Sequence, residues 1–518
     1  MKFTLLFIVL GFTIWVRAQA PAIQWQRSFG GGNDDYLQAT RQTSDSGYIS
    51  VGWTKSNNGD VSGNHGNQVG GYGYEEYWIV KTSPAGILQW KKILGGLGDD
   101  RGHDIRQTTD GGYIVAGETS SNNDGDVTGN HTSTNNNPTS DCWIVKLDPL
   151  GNIMWEKSYG GSGNDIAYCI RQTTDGGYIF AGSSTVNDGD VTSNTGWQDF
   201  WIVKIDTAGV IQWQRSMGTA YTDYVTSIEQ TNDGGFVFTG PSALNLDYRF
   251  SVLKLDANGN VVWGGSFGGS GDDLPNALVQ TPDGGYLVAG WTGSSDGDVT
   301  FNHGTWDYWV IKLDSIGVMK WQKTYGSSTF DLASALCLTP DGGFAVAGYT
   351  QGNDQDVLFN HSTSQDYWII KCDTSGTIQW QSSLGGTGLD IAASIQPTMD
   401  GGFIVGGYSA SSDGDVTLNQ GMKDFWLVKL ENPGAVKETP GKNTFSVYPV
   451  PCTDELHIRP TDPSSKEHYI LFDATGHIVL EGNLNGSLTT VHLSNISPGF
   501  YLLRLLYPEP YSVKVVKE

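Results

Sequence analysis

The chain has 518 residues, 70 of them Gly and 18 Trp, with 38% hydrophobic and 16% charged residues, which supports several buried cores and excludes a disordered or collagen-like polymer. Thirty Lys and Arg against 55 Asp and Glu give a net charge of −25, so nucleic acid and anionic membranes are repelled and neither is expected as a partner. The five cysteines, Cys142, Cys169, Cys337, Cys372 and Cys452, are odd in number and scattered, and they read as small buried hydrophobes instead of a disulfide framework.

Residues 1–20 carry Lys2, an apolar run from Phe3 to Val16 and then Ala18-Gln19-Ala20, the order of a secretory signal peptide. Pro21 disfavours cleavage after Ala20, which points to Ala18. No Cys stands at the junction for a lipid anchor, and no later apolar run reaches the length of a membrane-spanning helix.

From residue 21 to 430 one unit repeats. Trp25, Trp90, Trp155, Trp213, Trp263, Trp321 and Trp380 each sit in a segment like IQWQ. Asp110 to Gly117, DGGYIVAG, recurs at Asp175, Asp233, Asp283, Asp341 and Asp400, with a decayed copy at Asp45; YWIVK at Tyr77 recurs at Cys142, Phe200, Phe250, Tyr308, Tyr367 and Phe425. Each unit reads as four strands: in the third, A is Ile166 to Gln172, B Tyr178 to Gly182, C Phe200 to Ile205 and D Ile211 to Arg215. Asp175-Gly176-Gly177 and Ala208-Gly209 supply the tight turns. Strand C is apolar on both faces, as in Trp201-Ile202-Val203, which requires a sheet covered on both sides. No helical period appears.

Seven such units predict an all-β, seven-bladed β-propeller. The first strand, around Ile23 to Arg27, is a D with no A, B or C before it, and the last unit stops at its C strand, Phe425 to Leu430. Pairing the two closes the ring and hides its edges.

The stretch LDxxGNIxW at Leu147 to Trp155 resembles the tryptophan-docking repeat of quinoprotein-type propellers. The full unit, DGGYIVAG, DGD, YWIVKLD and IxWxKxxGG, resembles a propeller repeat of secreted proteins from bacteria that use the type IX secretion system. That resemblance speaks to fold more than to function.

Residues 431–444, with Pro433 and Pro440, read as a linker. Residues 445–518 form a second domain, a small β-sandwich with strands around Phe445 to Pro451, Tyr469 to Asp473, Leu493 to Leu503 and Val513 to Lys517. This segment is similar to the type A C-terminal sorting domain of the type IX system, although Val450 stands where the opening motif usually has Asn. The resemblance implies export through the periplasm to the outside or the outer surface, with the secretion machinery as a partner.

The long B-to-C and D-to-A loops leave the ring at one end. The B-to-C loops carry Asn58 and Asp60, Asp124 and Asp126, Asp188 and Asp190, Asp296 and Asp298, Asp354 and Asp356, and Asp413 and Asp415. Four residues on come Asn64, Asn130, Asn194, Asn302, Asn360 and Asn419, and an acid then opens strand C: Glu76, Asp141, Asp199, Asp307, Asp366 and Asp424. Such oxygens can ligate calcium, the one cofactor expected; the alternative is that they cap the loops' own backbone through Asx-turns. The fourth unit, Pro241 to Arg249, lacks the pattern. The D-to-A loops add Asp35, Asp100, Asp165, Asp223, Asp273, Asp331 and Asp390, read as caps on the innermost strands. His65, His131, His303 and His361 read as surface loop residues. The lysines that close strand C, Lys81 to Lys429, read as paired structural cations. Trp197, Trp291 and Trp306 are candidate sugar-stacking platforms.

No GxSxG, HExxH, GxxxxGK or CxxC motif occurs, so no catalytic residue is assigned. The expectation is a monomeric, non-catalytic propeller that binds an extracellular glycan or protein or serves as a scaffold. The alternatives are a calcium-dependent polysaccharide hydrolase or lyase using aspartate pairs of the D-to-A loops, and a quinoprotein-like dehydrogenase.

Overall fold

The computed structural model describes residues 20–65, 74–131, 139–244, 247–432, 445–460, 468–473, 478–505 and 511–518. The signal peptide, apart from Ala20, and linker residues 433–444 lie outside them. Two compact units divide the chain at Pro433 and Gly434.

The first unit is a ring of seven four-stranded antiparallel sheets. Blade 1 is built from Asp35–Gln42, Tyr48–Thr54, Glu76–Thr82 and Leu88–Leu94, and blade 2 from Asp100–Gln107, Tyr113–Thr119, Asp141–Leu147 and Ile153–Tyr159. Blades 3, 5 and 6 repeat the plan. Blade 7 takes Asp390–Pro397, Phe403–Ser409 and Asp424–Leu430 and receives Ile23–Phe29 as its outer strand. Ser28 lies opposite Trp426 and Phe29 opposite Phe425, so the ring closes as the orphan D strand predicts.

Blade 4 departs from the plan. Its inner strand is only Ser227–Gln230, while its second and third strands, Phe236–Leu244 and Asp247–Leu255, run to nine residues each. The strands extend through the space the polar B-to-C loop takes in the other blades, which accounts for the missing Asp and Asn there.

Packing between blades rests on strand C. Trp78, Trp143, Trp201, Trp309, Trp368 and Trp426 are fully buried, and Tyr77, Tyr308 and Tyr367 meet the tryptophan one blade on, with hydroxyls donating to Trp143, Trp368 and Trp426 carbonyls at 2.9, 2.8 and 3.0 Å. Burial of aromatic surface of this size is the main stabilising term of the ring. In most blades the indole Nε1 finds an acceptor on strand D: Glu156 for Trp143, and Gln214, Gln322, Gln381 and Gln26 for Trp201, Trp309, Trp368 and Trp426, at 2.7–3.1 Å.

The A-to-B turns are held from below. Asp110 accepts the Gly112 N–H at 3.0 Å and pairs with Lys146 at 2.9 Å, while Gly111 takes a φ of 83° that an L side chain rarely adopts. Each strand C lysine thus pairs with the turn aspartate of its own blade, as Lys81 does with Asp45 and Lys429 with Asp400. All five cysteines are buried and free.

The second unit stacks the three-stranded sheet of Phe445–Tyr448, Glu455–Pro460 and Thr489–His492 with the four-stranded sheet of His468–Phe472, Ile478–Asn483, Gly499–Leu505 and Tyr511–Lys517. Cys452, Leu456, Ile458, Leu471, Val491, Leu503 and Val515 share one core. Leu493 to Pro498, read from sequence as strand, is a turn that leads into Gly499–Leu505.

Candidate functional site

The loop-bearing end is built around two rings of buried carboxylates. At the start of strand A, Asp100 accepts the Gly96 N–H at 2.9 Å, the Ser121 hydroxyl at 2.8 Å and the Thr119 hydroxyl. Asp35, Asp273 and Asp390 make the same bonds to the glycine after strand D and to a serine of the B-to-C loop. Burial pushes Asp35, Asp100 and Asp165 up to about 7, against the hydroxyl and amide donors that hold them down. Each of these aspartates ties the D-to-A loop to its own blade.

The acids that open strand C are equally buried. Four meet a histidine: His131 gives its backbone N–H and its Nδ1 to Asp141 at 2.9 and 2.7 Å, and His303 and His361 treat Asp307 and Asp366 alike, as His65 does Glu76. The histidines, read from sequence as surface loop residues, are also structural partners of the strand C acids. His303 and His361 also reach across the blade boundary, with Nε2 3.3 Å from Asp356 and Asp415. Elsewhere Thr195 and Gln420 bond Asp199 and Asp424 instead.

A glycine stands at each boundary, and at Gly30, Gly160, Gly218, Gly326 and Gly385 two carboxylates crowd it. A Cβ on Gly218 would lie 2.7 Å from both Asp199 Oδ1 and Asp223 Oδ2, and one on Gly385 2.6 Å from Asp390 Oδ2 and 2.7 Å from Asp366 Oδ1. At the boundary of blades 4 and 5 the strand C position holds Arg249, whose guanidinium lies 3.5 Å from the Gly268 carbonyl; burial raises Asp273 above the usual carboxylate range, and Arg249 offsets a small part of that.

The residues read as calcium ligands line the same loops. The first of each pair accepts a D-to-A loop N–H: Asn58 from Gly32, Asp124 from Leu97, Asp188 from Ser162, Asp296 from Ser270, Asp354 from Ser328 and Asp413 from Thr387, at 2.6–2.8 Å. Asp60, Asp126, Asp190, Asp298 and Asp415 accept the N–H of the boundary glycine at 3.0–3.4 Å. The loop asparagines turn their NH₂ inward, Asn64 to Tyr74 O, Asn130 to Thr119 O, Asn194 to Ser184 O, Asn302 to Ser294 O, Asn360 to Ser364 O and Asn419 to Ser409 O. Their Oδ1 closes Asx-turns onto Gly196, Gly304 and Gly421. Among the described residues no three His, Cys, Asp or Glu side chains gather as a metal-holding group.

Among polar and acidic exposed residues such as Asp188, Asp296, Asp354 and Asp413, this end also exposes apolar side chains. Trp197 is 72% exposed, whereas Trp291 and Trp306 pack on each other at 4.6 Å. Phe301, Phe359 and Leu418 precede the loop asparagine in blades 5, 6 and 7 and are 57%, 56% and 55% exposed; Gly63, Gly129 and Ser193 hold that place in blades 1 to 3.

A further group of residues escaped the sequence reading. Strand A carries a bulge at its third residue in blades 1, 2, 3, 5, 6 and 7, which turns Gln38, His103, Tyr168, Asn276 and Ser334 into the central channel. The channel holds a cavity of about 880 Å³. One turn of strand further, the seven blades contribute Arg41, Arg106, Arg171, Glu229, Val279, Cys337 and Gln396. The signal was present in the sequence as the column of strand A that holds Arg in three blades, Glu in a fourth and uncharged residues in the rest.

Residues 446–517 match the family model described as the secretion system C-terminal sorting domain. No curated protein matches the chain. Among solved structures, Sqt1 of Chaetomium thermophilum, bound to the N-terminus of the ribosomal protein L10, is 11% identical, with 78% of this chain and 98% of that chain covered and a TM-score of 0.41. PorZ, described as an essential bacterial surface component of the type IX secretion system of Porphyromonas gingivalis, is 9% identical over 86% of this chain and 64% of that one, with a TM-score of 0.32. A puromycin hydrolase is 11% identical over 84% and 60%, with a TM-score of 0.46. The sorting domain marks a protein that is secreted or carried to the outer surface and that engages the type IX machinery; among the described residues no helix is long and apolar enough to cross a membrane.

Proposed function

We propose that the propeller is a non-catalytic binding module of the outer surface, and that the loop-bearing end of blades 5 to 7 is where an extracellular protein or glycan docks. The observation that carries this reading is the division of labour on that end. Its strand A and strand C carboxylates are buried and engaged by backbone amides, hydroxyls and histidines, and the exposed loop aspartates are engaged by backbone amides blade after blade, whereas the exposed apolar groups Phe301, Phe359 and Leu418 are confined to blades 5 to 7. Exposed apolar groups ringed by polar loops are a feature of docking surfaces.

The aspartates on which a polysaccharide hydrolase would depend, Asp273 among them, are fully buried, which supports binding over turnover. The hydrogen bonds of Asp60, Asp190 and their counterparts support backbone capping over calcium. The test is retention of the mature protein on extracellular matrix and intact cells of its source. Wild type should be retained, and a variant with Phe301→Ser, Phe359→Ser and Leu418→Ser should lose retention at least tenfold with its melting temperature kept. Equal retention of the two would overturn the placement.

A further inference from the structure

We infer that the central channel is a binding site for a small organic carboxylate, held by Arg106 in the positive field it shares with Arg41 and Arg171, against a neutral opposite wall. This goes beyond the docking reading: it concerns the axis of the ring, toward the A-to-B turns and away from the long loops.

In a chain of net charge −25, three consecutive blades place an arginine at the same channel position. Their counter-ions are few. Asp104, buried on blade 2, is shared by all three, at 3.1 Å from Arg41, 3.3 Å from Arg106 and 2.6 Å from Arg171. Glu229 of blade 4 adds a second carboxylate, 2.8 Å from Arg171. Three guanidinium groups therefore face two carboxylates, which leaves one positive charge in a walled cavity where its field is focused.

The hydrogen bonds identify which arginine is short of partners. Arg171 is saturated, with Nε and Nη2 on Glu229 and Nη1 on Asp104 and the Ile170 carbonyl. Arg41 places its Nη groups on Asp104, Ser394 and the Thr40 carbonyl, but its buried Nε has no acceptor. Arg106 bonds Asp104 only through Nε, so among the described residues neither Nη group has an acceptor. Two adjacent free N–H groups on a planar fork are the complement of a carboxylate. Crowding by Arg41 and Arg171 adds to burial in lowering the proton affinity of Arg106, a strain that a bound anion relieves.

The far wall fixes the rest of the ligand. Blades 5 to 7 present Val279, Cys337 and Gln396 at the height of the arginines, with no charge. A monoanion with a neutral body of a few rings or residues fits a cavity of about 880 Å³. A free peptide C-terminus and a uronic acid share this chemistry.

Calorimetric titration of the purified, full mature chain distinguishes the sources. The probes are glucuronate against glucose, and a tetrapeptide with a free C-terminus against its amide. At least one acid should bind with a dissociation constant below 1 mM, roughly, and its neutral partner should bind at least tenfold more weakly. Arg106→Gln should weaken the acid at least tenfold with an unchanged melting temperature. Should that variant fail to fold, the wild-type pairs decide alone. Failure of both acids to bind, or equal binding of acid and neutral forms, would overturn the inference and leave the docking reading untouched.

Discussion

Trp78 is the exception among the strand C tryptophans, and it yields a quantitative prediction. Its Nε1 is buried without an acceptor, because strand D of blade 1 carries Lys91 where the other tryptophan-bearing blades carry Gln or Glu. Lys91 donates to the Asp60 carbonyl and cannot accept. In blade 6 Gln381 does both tasks: it accepts from Trp368 at 3.1 Å and donates to the Asp356 carbonyl, the counterpart of Asp60, at 2.7 Å. Lys91→Gln should therefore keep the contact to Asp60 and satisfy a buried donor whose unmet state costs about 1–3 kcal/mol. A net gain of about 1 kcal/mol is expected, which raises the melting point of a ring this large by only about 1 °C, so denaturant unfolding is the better assay. The control is a double-mutant cycle with Trp78→Phe, in which the donor is gone and the gain should vanish. A gain that persists in the Trp78→Phe background, or a loss in the single variant, would refute the reasoning.

Other consequences follow from the buried charges. Asp35, Asp100 and Asp165, raised to about 7 by burial, and Asp331, Asp366 and Asp424, raised to about 6, hold protons in the folded chain that the unfolded chain releases near 4. The stability they contribute is present at low pH and is lost as pH rises from about 4 to 7. Asp283, held near 2 by Lys312 and Thr281, acts oppositely and loses its contribution as pH falls from about 4 toward 2. Melting should therefore be highest near pH 5 and lower at pH 8; a melting temperature that rises from 5 to 8 would contradict this. Asp104→Asn removes the anion shared by three arginines and should destabilise the ring by about 3–5 kcal/mol, read by denaturant unfolding. Chelator should leave the melting temperature where calcium leaves it, since backbone amides occupy the loop oxygens; a shift of several degrees would assign them to an ion. Loss of residues 446–517 should retain the chain in the periplasm, checked by fractionation.

The ring was legible because its determinants are local and repeated. Trp25 marks an outer strand without a blade and the unit of Phe425 a blade without its outer strand, and the Asp-Gly-Gly turns set strand lengths nearly to the residue. The loop chemistry was only half legible. Composition alone does not say whether Asp188 faces a cation or the Ser162 amide, since both are oxygen-seeking, and spacing does not show that His131 folds back onto Asp141 across residues 132–138. The channel was least legible. Arg41, Arg106 and Arg171 are far apart in sequence, and the bulge that redirects the inner strand is a backbone feature that no single residue type announces. Repetition drew attention to what the blades share, while the site lies where they differ.

The proposal of binding without turnover is tested most directly by reducing-end release when the purified mature chain is incubated with extracellular polysaccharides, with calcium supplied. No product above the heat-treated control is predicted, for wild type and for Asp273→Ala alike. Release by wild type that disappears in Asp273→Ala would contradict the account.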